Sequence, residues 1–425
     1  MDYKHEQNST HVLGVVLPES TIVEEVLDNQ TRKPFFLVST PKGVQKADEC
    51  SSVDGTRYLP MESEYIRKSK IHVPSLSQGE EIASFSLTSE ELHKLIMDFI
   101  HKYVDVQKPY EYLVAAYIMH TWVFDRYDKV PYLRFLGVPG SGKSRMLRVL
   151  SGICYHPILL NGNISDAGIF RTVELIGHGT FLFDEMNLSH SSRTSGIVQV
   201  LNSGYEKDNN ISRCEGTSFS PRFFDPFGPK IIAQNQRFDD NALESRLLSI
   251  DMQSTSRQDI SDQLSSGEYK KEVSDLQKLL LAFRFAHYFS VDTDQKYPEL
   301  EKYSHRFRER YIPILRTLGL NSVPNEIIKL AEDDYQTSCD TFAFSPEGIV
   351  VAALSEKIDQ GADQVYPIEI AAIVARNGFE MSPRAVGQTL RLLGIRSIKR
   401  NNRGIQFDLR GVCKDTLYRN SGLRI

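Results

Sequence analysis

This 425-residue sequence has a single tryptophan, few cysteines and no excess of basic charge. Each scarcity excludes something. No apolar run approaches the roughly eighteen residues that a membrane-crossing helix needs. The opening MDYKHEQNST also lacks the apolar centre of a secretory signal. The expectation is a soluble protein of a reducing cytoplasm with no membrane partner. The five cysteines, Cys50, Cys154, Cys214, Cys339 and Cys413, form no C-x-x-C pair and have no histidine at ligand spacing. That pattern supports neither a zinc ribbon nor a disulfide framework. A net charge of −5 excludes a uniformly basic nucleic-acid coat.

What is present is the balance of an ordinary globular chain, 40% hydrophobic and 25% charged, long enough for two or three domains. The charge is unevenly placed. Residues 365–425 hold eleven lysines and arginines against four acids, a local +7, which leaves −12 for the remainder. A terminal module of that sign is expected to meet a polyanion.

The stretch Gly137-Val138-Pro139-Gly140-Ser141-Gly142-Lys143-Ser144 fits G-x-x-x-x-G-K-[ST]. An apolar strand, Tyr132 to Leu136, precedes it, and Met146-Leu147-Arg148-Val149-Leu150 supplies the apolar face of a helix behind it. Glycines let backbone N–H groups approach a phosphate, the lysine neutralises terminal phosphates, and the serine is suited to ligate Mg²⁺. The candidate nucleotide contacts are Gly137, Pro139, Gly140, Ser141, Gly142, Lys143, Ser144 and Arg145, with ATP and Mg²⁺ as the expected cofactors. Thr180-Phe181-Leu182-Phe183-Asp184-Glu185 is a second apolar strand, ending in two carboxylates forty-one residues after Lys143. Asp184 is placed to share the metal with Ser144, and Glu185 to polarise the attacking water. A third strand, Pro229 to Asn235, leaves the core at Asn235, a polar residue suited to help orient the attacking water. Eleven residues later, Ala242-Leu243-Glu244-Ser245-Arg246 carries an arginine suited to reach a neighbouring subunit's γ-phosphate, or else to form a structural ion pair.

Taken together, GVPGSGKS, TFLFDE, KIIAQN and ALESR resemble the AAA+ ATPases over about residues 110–320. Within that superfamily the order of motifs is similar to the minichromosome-maintenance (MCM) helicases and the helicase-like replication ATPases of mobile genetic elements. The viral superfamily-three helicases share a similarly compact spacing. The resemblance implies an α/β AAA+ core with a helical lid, a homo-oligomer expected to be a hexamer, and hydrolysis sites shared between subunits. It puts the sensor role on Asn235, the trans finger on Arg246, and a second sensor arginine on Arg306, with Arg308 and Arg310 as alternatives. It also implies a hairpin in the long Gly204–Pro229 segment that grips DNA. Lys207 and Arg213 would meet phosphates there, and Phe223 or Phe224 would pack at its base. MCM proteins commonly carry a zinc-binding segment, and the cysteine spacing here departs from that pattern.

Outside the core, residues 1–85 read as a small β-rich N-terminal domain broken by Pro18, Pro34, Pro41, Gly43 and Gly55. Residues 86–128 read as a helical connector opened by a Thr88/Glu91 capping box, in which His120 and Trp122 are most simply core. The ATPase core and lid fill 129–320, and 321–364 forms a helical linker. Residues 365–425 resemble a winged-helix domain: a helix from Ile368, a turn at Asn377-Gly378, a helix opened by Ser382-Pro383 and closed by Gly394, then two short strands. Arg384, Gln388 and Arg391 share one face suited to a major groove, with Lys399, Arg400 and Arg403 on the wing for phosphates. The expected function is an ATP-dependent DNA helicase or translocase working with replication partner proteins. A helicase loader or an ATP-switched origin-binding initiator are the alternatives.

Overall fold

The computed structural model describes residues 9–417 apart from 83, 84, 86, 187–194, 215–220, 239, 262, 402, 403 and 414–416. Two compact units divide it, residues 1–297 with 309–323 and residues 298–308 with 324–425.

In the first unit, short segments between turn residues give β1 (Ser9–Val12), β2 (Gly14–Leu17), β3 (Thr21–Asp28), β4 (Pro34–Thr40), β5 (Gly43–Ala47), β6 (Cys50–Ser51) and β7 (Arg57–Pro60). Helix α1 (Ser63–Ser69) and β8 (Ser75–Leu76) follow. β2, β3, β4 and β5 form an antiparallel meander, and β8 pairs in parallel with β3. The expected domain limit at residue 85 is not a structural division. Leu13, Leu27, Met61, Ile66, Ile71 and Val73 share one core with Tyr132, Phe181 and Ile232.

β3 shows why. It is buried from Ile22 to Leu27, on both faces, and so places Glu24 and Glu25 in the interior. A buried carboxylate needs partners. Glu24 accepts hydrogen bonds from Tyr155 (2.8 Å) and from Arg284 Nε (2.6 Å), and Arg284 in turn holds Asp125 through both terminal nitrogens at 2.9 Å. Burial alone would raise the Asp125 carboxyl, but the Arg284 guanidinium overrides it and holds the group below its ordinary value. Among the described residues the Glu25 carboxylate has only the Met61 N–H, at 2.7 Å, and burial, reinforced by Glu24, pushes it up to about 8.

The capping box at Thr88 and Glu91 opens α2 (Ser89–Tyr103), and α3 (Lys108–Thr121) follows. From Leu113 to Thr121 every α3 residue is buried, so this stretch of the helix has no solvent face. His120 is core: its Nδ1 lies 3.0 Å from Thr317 Oγ1, and burial pushes it down to about 3. Trp122 donates to the Ile153 carbonyl at 2.9 Å.

Next come β9 (Tyr132–Leu136), α4 (Lys143–Leu150), β10 (Pro157–Asn161), α5 (Asp166–Ile176), β11 (Thr180–Asp184) and α6 (Gly196–Ser203). The hairpin strands β12 (Ile211–Cys214) and β13 (Pro221–Phe224) precede β14 (Lys230–Gln234), α7 (Asn241–Glu244) and β15 (Leu247–Asp251). The five long strands form one parallel sheet in the order β10-β11-β14-β9-β15. β9 and β14 are buried at every position, as in a parallel sheet covered on both faces. Helix α8 (Gly267–His287) supplies Arg284 to the Glu24 cluster.

The C-terminal unit contains α10 (Asn325–Ala343), α11 (Pro346–Asp359), β16 (Gln364–Val365), α12 (Pro367–Arg376), α13 (Pro383–Leu392), β17 (Ser397–Asn401) and β18 (Gly404–Asp408); α9 (His305–Thr317) is split between the units. Ser382 caps α13 by accepting from the Ala385 N–H at 3.2 Å, with Pro383 in the first turn. The strands form an antiparallel sheet in the order β16-β18-β17. The expected linker 321–364 is shorter than drawn. Val350, Val351, Ala353 and Leu354 of α11 share a core with Ile370, Val386, Leu390 and Phe407, so the module begins before residue 365.

Candidate functional site

The phosphate loop leaves β9 at its C-terminal end. Gly140 and Gly142 take φ values of 85° and 91°, a left-handed backbone that other residues adopt at a cost. Gly142 also caps α4, so the helix opens with its N–H groups on the loop. Lys143 is almost fully buried. Its Nζ donates to the carbonyls of Gly137 (2.7 Å) and Val138 (2.8 Å), with Ser141 Oγ at 3.4 Å. Burial lowers its pKa, against the pull of Asp184 and Glu185. An ammonium held in this way gains by meeting an anion.

β14 lies between β9 and β11, so the C-terminal ends of all three stand side by side, spaced about 4.8 Å apart. Ser144 Oγ donates to Asp184 Oδ1 at 2.9 Å. These two hard oxygens, one from the loop helix and one from β11, are the donor set that Mg²⁺ prefers. The residues fit ATP with Mg²⁺: Ser144 and Asp184 would hold the ion, which would supply charge to the phosphates. Glu185 is exposed beside them with φ 55°, left-handed for a residue that has a Cβ. Gly162 lets that turn form, since a Cβ there would come within 2.7 Å of the Glu185 carbonyl oxygen and 2.8 Å of Met186 Cα. Strain of this kind at a carboxylate facing solvent is typical of functional turns.

Asn235 stands exposed just beyond β14. Gln234, its neighbour, is buried at the same strand end, and among the described residues neither its Nε2 nor its Oε1 has a hydrogen-bond partner. Sequence reasoning passed over it, because a glutamine closing an apolar strand carries no motif. Arg145 departs from expectation. Its Nε donates to the Tyr103 carbonyl at 2.7 Å and a terminal nitrogen to the Ser261 carbonyl, so the guanidinium is committed to the scaffold rather than to a nucleotide.

Arg246 lies at the opposite edge of the sheet. Its carbonyl accepts from the N–H of Tyr132, the first residue of β9, whereas the loop follows Leu136 at the other end. Six strand steps separate Arg246 from Gly137, about 20 Å. Its Nη1 donates to Asn202 Oδ1 at 2.7 Å, and its guanidinium lies 5.3 Å from the Tyr205 ring centroid. Both partners come from the end of α6 and the turn after it. Arg310, an alternative for the second sensor, is buried and donates to the Leu247 carbonyl at 2.9 Å. Arg306 and Arg308 belong to the C-terminal unit.

No protein-family model matches the chain, and no curated protein does. Solved structures do. The C-terminal region of NrS-1 is similar at 11% identity and a TM-score of 0.40, over 91% of this chain and 96% of that one. The JCV helicase is similar at 21% identity and a TM-score of 0.30, over 46% of this chain. There the match spans 54% of the JCV helicase chain, about half its length.

β12 and β13 form the hairpin expected from the long insert, with Arg213 directly opposite Arg222. Two like charges in that position destabilise a hairpin unless each finds another contact. Arg222 pairs with Glu174 of α5, and Arg213 stacks on Phe170 of the same helix, its guanidinium 4.4 Å from the ring centroid. Arg213, expected to meet DNA, is therefore half-buried against α5. Phe224 packs at the base beside Phe170, whereas Phe223 and Lys207 are exposed. Lys230 closes the insert from below. Fully buried, its Nζ donates to the carbonyls of Gly204, Pro226 and Gly228, and burial, opposed by Asp225, pushes it down to about 7.

In the C-terminal unit, Arg384, Gln388 and Arg391 are exposed along one face of α13, the last with its guanidinium 5.8 Å from the Phe407 ring centroid. Lys399 is exposed on β17 and Arg400 follows it in the strand; Arg403 lies outside the described residues. Among the described residues no helix is long and apolar enough to cross a membrane.

Proposed function

We propose that this chain is the ATP-hydrolysing subunit of a DNA translocase or helicase of AAA+ type, serving replication of a mobile genetic element. The observation that carries the reading is the meeting of Lys143, Ser144, Asp184 and Glu185 at the C-terminal edge of one parallel sheet, with Ser144 already bonded to Asp184. Lys143 exchanges its loop carbonyls for the terminal phosphates of ATP. Glu185 accepts a proton from the attacking water, and Asn235 orients that water. Arg246, about 20 Å away along the strand direction, acts on the ATP of a neighbouring copy, so a ring, most simply of six, completes each site. Membership of the MCM-like branch is supported by the order of GVPGSGKS, TFLFDE, KIIAQN and ALESR. Arg306 is kept as the proposed second sensor on the same ground.

The test is Mg²⁺-dependent ATPase activity against protein concentration, with and without single-stranded DNA, beside strand displacement on a forked duplex. Cooperative activity that DNA stimulates, and a Glu185→Gln variant that binds ATP but turns over 10²–10⁴-fold more slowly, is the expected result. Absence of ATPase activity at every concentration and with every DNA would overturn it.

A second reading, an ATP-switched initiator, draws on the exposed Arg384, Gln388 and Arg391, side chains able to read base edges. Sequence-specific duplex binding that survives Glu185→Gln, with a fork that stays closed, would favour it.

A further inference from the structure

Glu244 stands two residues before Arg246, and its carboxylate is tied into the middle of the sheet. Arg134, on β9 and fully buried, grips it with two nitrogens: Nη2 lies 2.7 Å from Oε2, and Nη1 bonds Oε1. The same guanidinium donates to Ser249 Oγ on β15, from Nη2 at 2.7 Å and from Nε at 3.1 Å. Glu244 also accepts the Phe238 N–H at 2.6 Å and lies 3.6 Å from Arg237.

Topology explains the need. β14 and β15 are both parallel to β9, so the chain that leaves β14 at Asn235 has to cross a face of the sheet to start β15 at the other edge. α7, the helix on that crossing, has four residues and is too short to hold itself. A buried ion pair is a poor source of stability, because its desolvation offsets most of its attraction. A rigid two-pronged guanidinium is instead a good source of fixed geometry.

We propose that Arg134 and Glu244 are positioning residues for Arg246: their buried pair pins the crossing from Asn235 and thereby fixes where Arg246 is presented to a neighbouring copy. This rests on the reading of Arg246 as a group that acts on a neighbour's ATP. Neither residue touches the nucleotide, and their effect falls on the adjacent subunit's turnover.

The experiment mixes wild-type chains with a large excess of donor chains that cannot hydrolyse ATP themselves because they carry Lys143→Ala. ATPase activity per wild-type site is then read in the presence of single-stranded DNA. Donors with Lys143→Ala alone set the reference turnover of the wild-type sites. Donors that add Arg246→Ala should abolish it. Donors that add Glu244→Gln should lower kcat about tenfold with KM within about twofold. A second donor adds Arg134→Met with Glu244→Leu, which removes both charges and should melt close to the parent; it should fail as Glu244→Gln does. Glu244→Gln donors that sustain turnover as well as Lys143→Ala donors would overturn the proposal, as would unfolding of both variants, which would make the pair structural. If the Arg246→Ala donors also sustain turnover, the trans reading of Arg246 itself fails, a distinct result.

Discussion

The two units use charge in opposite ways. In the first, Glu24, Glu25, Arg134, Lys143, Lys230 and Arg284 are buried, and each has hydrogen-bond partners within the chain. In the C-terminal unit, Arg384, Gln388, Arg391 and Lys399 face solvent. A buried charge that loses its partner is left unsolvated, so it shapes the protein. An exposed charge costs the fold little and remains available to a polyanion. Substitutions should therefore separate: in the first unit they move stability and turnover, in the second they move DNA affinity alone.

The largest effect on stability is expected from Arg284→Met. It strands the Glu24 and Asp125 carboxylates and should cost about 3–5 kcal/mol, read by denaturant unfolding. A cost below that of an ordinary surface change would break the contrast. For turnover, Arg246→Ala in every chain should lower kcat by 10³-fold or more, with ATP binding retained.

Next comes Glu25. Its folded pKa stands at about 8 against an ordinary value of 4.5, so between those values the native state binds the extra proton. Its contribution to stability is complete below about pH 4.5 and is lost as pH rises through 8. The slope is at most about 1.4 kcal/mol per pH unit. Glu25→Gln should flatten that stretch of the stability profile and melt higher than the parent at pH 8; an unchanged profile would show that Glu25 is solvated.

The smallest effects belong to α13. Arg384→Ala and Arg391→Ala should each weaken duplex binding by about 1–2 kcal/mol and shift stability by less than about 0.5 kcal/mol. If either contacts a phosphate, the salt dependence of binding should fall by about one unit of slope. Equal losses of stability and affinity would erase the difference between the units.

The same contrast explains what was legible in the sequence. Gly137 to Ser144 form a contiguous motif, and Asp184-Glu185 and Asn235 close apolar strands, so their place at one end of the sheet shows in local pattern. The caps of α2 and α13 are equally local, which is why Thr88 and Ser382 marked their helices correctly. Arg134 and Glu244 lie 110 positions apart, and Glu24 and Arg284 lie 260 apart. Only the folded chain brings such pairs together. β3 hides its partners further, since a strand buried on both faces that still carries two glutamates follows no alternation. Arg145 shows the converse: proximity to Lys143 and Ser144 in sequence suggests a shared ligand, while the helix turns its side chain toward Tyr103 and Ser261.

One feature of the central sheet reaches beyond the single molecule. The phosphate loop and Arg246 sit at opposite ends of adjacent parallel strands, so the molecule has a head and a tail. Copies that join head to tail leave one unmatched loop and one unmatched arginine at the ends of the row, however long it grows. Only a row that bends back on itself leaves neither. On the proposed role of Arg246, curvature at the contact between copies, rather than the strength of any one contact, decides whether the last site in the row can work.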